Sequence, residues 1–161
     1  MKDREKAMQA VEKALTLSPN AAADLAELAS VRMQLGQYKK ALDHCDKALQ
    51  VAPGCLDAIV VKAALRASCP EAAIRNGAEA LKLAVGANDG ASEWCKRITV
   101  LCLADAHAEC GDFKEALRLT KEAIRLGGTE SEADPLLLER LSLYQNGQPY
   151  RMRAIPSISK E

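Results

Sequence analysis

Apolar residues recur every three or four positions along most of this chain, and glycine, Asn-Gly or proline breaks interrupt them. That period puts them on one face of successive helices. Ala7, Val11, Ala14, Leu15 and Leu17 trace a first helix, about Asp3 to Leu17, which Ser18-Pro19 ends. Leu25, Leu28, Ala29 and Met33 trace the next, from an Asn20 cap to about Leu35, where Gly36-Gln37 turns the chain. Tyr38, Ala41, Leu42, Cys45, Ala48, Leu49 and Val51 return it to Pro53-Gly54.

Leu56 to Ala67 predicts a further helix, closed by Cys69-Pro70. Its partner has two registers, with either Ala73 and Ala80 or Ala80 and Ala87 as the small packing positions. The second is favoured, because it leaves 39 residues from Ala41 to Ala80 and 36 from Ala80 to Ala116. It makes residues 69–76 a loop, starts the helix at Asn76-Gly77 and treats Gly86, Asn88, Asp89 and Gly90 as the breaker. A long helix over about 91–109 carries Trp94, Ile98, Leu101, Cys102 and His107, and Gly111-Asp112 turns it into a return helix from Phe113 to Leu126. Asp134-Pro135 supplies a cap and a proline first turn for a final helix ending at Asn146-Gly147.

Two internal echoes organise these elements. Leu28-Ala29, Gly36, Tyr38, Ala41-Leu42 and Ala48-Leu49 return 75 residues later as Leu103-Ala104, Gly111, Phe113, Ala116-Leu117 and Ala123-Ile124. Ala7, Ala14-Leu15 and Pro19 precede Ala41, Ala48-Leu49 and Pro53 by 34 residues. A copied helical hairpin is the unit such a period describes. The expected fold is all-α, a solenoid of antiparallel hairpins with about eight helices, to which the resemblance of these repeats to a known family adds a right-handed superhelical sense. The half repeat spans 3–19, repeats 22–53, 56–88 and 91–128, and a capping helix 134–146. Together they make one domain, 1–147, followed by an extended tail, 148–161.

Composition narrows the chemistry. Aromatics are 3% of the chain against 48% apolar residues, so alanine and leucine must do the packing, which suits close helices better than sheets. Lys plus Arg and Asp plus Glu are 22 each, and no basic stripe is present, which argues against nucleic acid or an anionic membrane as partner. The six cysteines have no CxxC pair or metal-ligand rhythm, so no metal or cofactor is expected and reduced thiols in a cytoplasmic protein are. No secretory or membrane-spanning segment is expected either.

The strongest enzymatic arrangement is His107 with Cys110, three apart on one helix; His44 and Cys45 are adjacent and point about 100° apart. Neither comes with an oxyanion nest or a phosphate loop. Catalysis is therefore not expected.

The order Leu-Ala, Gly-x-Tyr/Phe, Ala-Leu, Ala-Leu/Ile and Pro resembles the tetratricopeptide repeat family, over residues 3–145 as three and a half repeats plus a cap. Arg32 and His107 stand where that family places a large apolar or aromatic residue, and Gly128 replaces its closing proline. The segments Ala67-Ser68-Cys69-Pro70, Arg75-Asn76-Gly77 and the run from Arg140 through Tyr144 to Gly147, Pro149, Tyr150 and Arg151 are also similar to a subgroup of bacterial repeat proteins.

The resemblance implies a concave groove lined by the first helix of each hairpin, with a protein or peptide as partner. Its candidates are Ala26, Glu27, Ser30, Met33, Gln34, Asp57, Val60, Val61, Ala64, Ile98, Leu101, Cys102, Asp105 and Glu109, an apolar stripe with an acidic rim. An amphipathic helix or extended peptide with Leu/Ile anchors and a basic flank would suit it. The positions that grip a terminal carboxylate in relatives hold Ala26, Ser30, Val60, Ala64, Leu101 and Asp105 here, so a cationic clamp is not expected. Self-association into a homodimer, through the groove or the first helix, is the alternative. Tyr150, Met152, Ile155 and Ile158 alternate with Arg151, Arg153 and Ser157, a pattern that could fold back on the groove.

Overall fold

A computed structural model describes Ala10 and residues 22–127 and 134–155 of the 161. The predicted first helix (3–17), its Asn20 neighbour, Gly128 and the end of the tail lie outside the described residues. Among those described there are seven helices and no strand: α1 (Ala22–Gln34), α2 (Tyr38–Val51), α3 (Leu56–Ser68), α4 (Gly77–Asp89), α5 (Glu93–Glu109), α6 (Phe113–Leu126) and α7 (Pro135–Gln145). The fold is all-α and built of helical hairpins. The chain divides into two units: one reaches Val61 and takes back the residues from Arg153, and the other runs from Lys62 to Met152.

In unit one, α1 and α2 form a hairpin. Leu28, Ala29, Ala41, Cys45 and Ala48 are buried along it. Alanine at 41 and 48 brings the helix backbones together, and Tyr38, 6% exposed, packs beside them. The first turn of α3 closes this core, with Leu25, Ala26, Ala48 and Ala58 in one cluster.

The turn at Gly36 is repeated in unit two at Gly111. Both glycines take positive φ, 74° and 84°. In both, the next N–H reaches back five residues: Gln37 to the Arg32 carbonyl and Asp112 to that of His107, each at 2.9 Å. A glycine in left-handed conformation closes a helix at low cost because it has no Cβ. The two turn pairs, 75 residues apart, are therefore the same structure written twice. Gly147, with φ 66°, ends α7 the same way, and Gln148 N–H donates to Leu143 O at 2.9 Å.

Unit two has α4 against α5, α5 against α6 and α6 against α7. Val100, Ala104, Ala108, Ala116, Leu119, Ala123, Tyr144 and Tyr150 form its core. The Asn76 side chain caps α4 by accepting from Glu79 N–H at 3.1 Å, as the second register requires. The loop before it is tied down by Arg75, which donates to the carbonyls of Cys69 and Pro70 at 2.8 and 3.1 Å.

Two helix bounds differ from the sequence reading. Gly86 does not break α4, which continues to Asp89 and closes at Gly90. Buried Ala84 and Ala87 hold it in register, and Asn88 is engaged by Thr99 Oγ1 and Lys96 Nζ. Burial of the flanking alanines outweighs the cost of about 1 kcal/mol for one mid-helix glycine. The other difference is α5, which starts at Glu93 after Ser92 rather than at Ala91.

Candidate functional site

α5 is the element around which unit two is organised. Ile98, Leu101, Cys102, Asp105 and Glu109 recur at spacings of three and four and so share one stripe of it. The stripe changes character along its length. Ile98 is 57% exposed, Leu101 is half-buried against the core, and Cys102 and Asp105 are buried.

Asp105 is held by three side chains from two helices. Arg140 of α7 grips it as a fork, Nε to Oδ1 at 2.8 Å and Nη2 to Oδ2 at 3.2 Å. Tyr144, one turn further along α7, donates its hydroxyl to Oδ1. Ser68 Oγ, at the end of α3, donates to Oδ2 at 3.2 Å. Burial works against the Arg140 charge, and the Asp105 carboxylate more than offsets it, so the guanidinium is held above its ordinary pKa. Burial, then the adjacent Asp105 charge, raises the Tyr144 phenol well above its ordinary range, so it acts as a donor. A buried charge with every lone pair engaged is the arrangement that a buried ion pair needs to be tolerated.

The sequence placed Asp105 and Cys102 on an open acidic and apolar surface; both are instead interior. The reason lies in α7, whose Arg140 and Tyr144 point back to α5. The signal was present as Arg140 within the leucine-rich segment Leu136 to Leu143, with a tyrosine four residues later. Glu109 is half-buried and pairs with Arg75 at 3.0 Å and with Arg151 of the tail at 2.7 Å. Ala64 is half-buried on α3.

Candidates in unit one are placed separately. Met33 and Val60 are half-buried, Gln34, Glu27 and Asp57 are exposed, and Ala26 and Val61 are buried. The Gln34 carbonyl accepts from Ile155 N–H at 2.9 Å, and a Cβ at Gly36 would lie 3.1 Å from that of Ala154. Arg32, the departure from the repeat pattern, is 6% exposed with Nη1 on Gln37 Oε1 at 2.6 Å. Its aliphatic stem takes an apolar position while the head finds oxygen.

The possible nucleophile pair is otherwise employed. His107 Nδ1 faces Asp112 Oδ2 at 3.3 Å, and that aspartate also caps α6 through Glu115 N–H. Cys110 is exposed, but partial burial and then the charges of Glu109 and Asp112 raise its thiol pKa. Nucleophilic cysteines need the opposite shift. Burial pushes the Cys102 thiol up to about 12. Among the described residues no group of three His, Cys, Asp or Glu is placed to hold a metal ion, and no helix is long and apolar enough to cross a membrane.

The hairpin of α1 and α2 coincides with a match to the tetratricopeptide repeat family model over residues 22–55, and a second model of that repeat matches residues 1–21. Residues 1–55 thus carry tetratricopeptide repeat sequence. Such repeats generally mediate protein–protein interactions. No curated protein matches the chain. The α5–α6 hairpin lies outside the matched ranges, yet its turn reproduces that of the matched repeat bond for bond at Gly111, Asp112 and Ala116. The same hairpin turn thus recurs in unit two, outside the matched residues.

Proposed function

We propose that this tetratricopeptide repeat protein is a non-catalytic adaptor whose working surface in unit two is the α5 stripe. The observation that carries it is Ile98, an isoleucine 57% exposed at the open end of a stripe whose other end already holds an extended segment. We read this aliphatic side chain, left in water beside an ordered polar rim, as an anchor point for another protein. The partner would bring a Leu or Ile anchor to Ile98 and a basic flank toward Glu109. Met33, Gln34, Asp57 and Val60 are a separate candidate surface on unit one.

Affinity capture from the native host with the full chain as bait tests this. A specific protein retained by the unaltered chain should be lost with Ile98→Glu at unchanged melting temperature; equal recovery on both baits would refute it.

A second reading, self-association, draws on Leu136 and Leu138 of α7, which are 49% and 51% exposed. Sedimentation at two concentrations decides it, because a dimer must dissociate on dilution by mass action.

A further inference from the structure

Residues 148–155 form no helix, and those that belong to unit two are seated on it largely by their side chains. Tyr150 is buried in the cluster of Val100, Ala104 and Tyr144, and the Arg140 guanidinium carbon lies 3.7 Å from its ring centroid. Asp105 fixes that guanidinium, so the flat cation is set in place before any ring stacks on it. Arg151 Nη1 reaches Glu109 Oε2 at 2.7 Å and the Ala67 carbonyl at 3.4 Å. Met152 N–H donates to Ser68 O at 2.8 Å, and its side chain packs on the cluster. Ala67 and Ser68 end α3, where carbonyls lack partners within the helix.

An aromatic anchor over a cation, a flanking charge pair and a main-chain bond are the means by which a folded surface holds an extended peptide. We propose that Arg140, Glu109 and the carbonyls ending α3 form a peptide site selective for an aromatic–arginine–aliphatic segment, which residues 150–152 occupy within the chain and a partner segment of that chemistry takes over. The inference rests on the adaptor reading and deepens it by naming what the partner carries.

Continuity along α5 supports the exchange. The tail reaches the end of the stripe at Glu109, and Ile98 leaves the other end open. A partner anchored at Ile98 therefore meets the tail next. A tethered segment competes at a local concentration in the millimolar range for a short flexible link. The site is thus masked in proportion to tail occupancy, and a free peptide binds only the unmasked fraction.

A fluorescein-labelled peptide with the sequence of residues 148–155, titrated by anisotropy against full-length chains, tests this. Binding to a chain carrying Tyr150→Ala and Arg151→Ala should be at least tenfold tighter than to the unaltered chain. Adding Glu109→Arg should abolish that gain, and a peptide with glutamate in place of Arg151 should recover it. Equal affinity for the unaltered and doubly substituted chains, both folded by circular dichroism, overturns the proposal. Should the double variant not fold, Arg151→Glu alone leaves Tyr150 in its seat and should raise peptide affinity at least threefold; no gain there overturns it too. Failure of the peptide arm with retained Ile98-dependent capture removes this inference and leaves the adaptor reading standing. Peptide exchange without Ile98-dependent capture does the reverse.

Discussion

Replacing Asp105 with leucine removes the acceptor that three donors share. The variant leaves the Arg140 guanidinium, whose side chain is 11% exposed, without its counter-ion, and the Tyr144 hydroxyl without the carboxylate it donates to. Breaking a buried pair from one side costs about 3–5 kcal/mol, because the surviving charge stays desolvated. An orphaned hydroxyl adds to that, about 1–3 kcal/mol where it finds no water. A loss of about 4–8 kcal/mol is expected, a large share of the roughly 5–15 kcal/mol that holds a typical domain. Arg140→Met should cost a similar amount by stranding the carboxylate.

The two together remove both charges and leave apolar volume, so the double variant should lose much less than the two single losses summed. The remaining deficit is the lost cation–π contact with Tyr150, about 0.5–2 kcal/mol, with the Tyr144 hydroxyl still lacking its acceptor, about 1–3 kcal/mol where it finds no water. Urea unfolding followed by circular dichroism measures all four corners of this cycle, with constant m-values as the check that the unfolded reference is unchanged. Single variants within 1 kcal/mol of the parent, or a double variant equal to the sum of its parts, would refute a coupled interior pair.

Further outcomes follow from other parts of the fold. Ala41→Leu and Ala116→Leu, both at fully buried positions, should each cost about 1–3 kcal/mol by overpacking, read as a lower urea midpoint. Gly36→Ala and Gly111→Ala place a Cβ in the left-handed region and should each cost about 1–2 kcal/mol. The His44 pKa is lowered, first by burial and then by Arg32 and neighbouring lysines, so its stabilising contribution is complete above 6.5. Below 6.5 the unfolded chain takes the proton first, and stability should fall with pH down to the folded-state pKa; His44→Gln should flatten that slope in urea melts. Cys110 should react first with a thiol reagent, faster above its raised pKa, whereas Cys45, Cys69 and Cys102 should react only on unfolding.

Much of the hairpin architecture is legible because its determinants are local. Gly36 and Gly111 announce their turns, and buried alanines at 41, 48, 116 and 123 mark where backbones meet. Asn76 and Asp134 are caps whose side-chain bonds follow from residue type. Gly86 misled because a glycine's local cost says nothing of the burial around it.

The surface was harder to read, since exposure depends on what returns from far along the chain. Asp105 looks like a rim acid until Arg140 and Tyr144, 35 and 39 residues later, are set over it. Glu109 looks like a free carboxylate until Arg75 and Arg151 arrive from either side in sequence. Helical period says which residues share a face; it carries no information on which face a distant segment will cover.

That the α5 stripe is where this protein meets its partner is tested most directly by photocrosslinking in the native host. A benzophenone side chain is placed at position 98 in one strain and at position 85, an apolar site on α4 that is 42% exposed, in another. Illumination should yield a discrete adduct with one protein from position 98 and none from position 85. Identical labelling from both positions, or adducts from position 85 alone, would contradict the account.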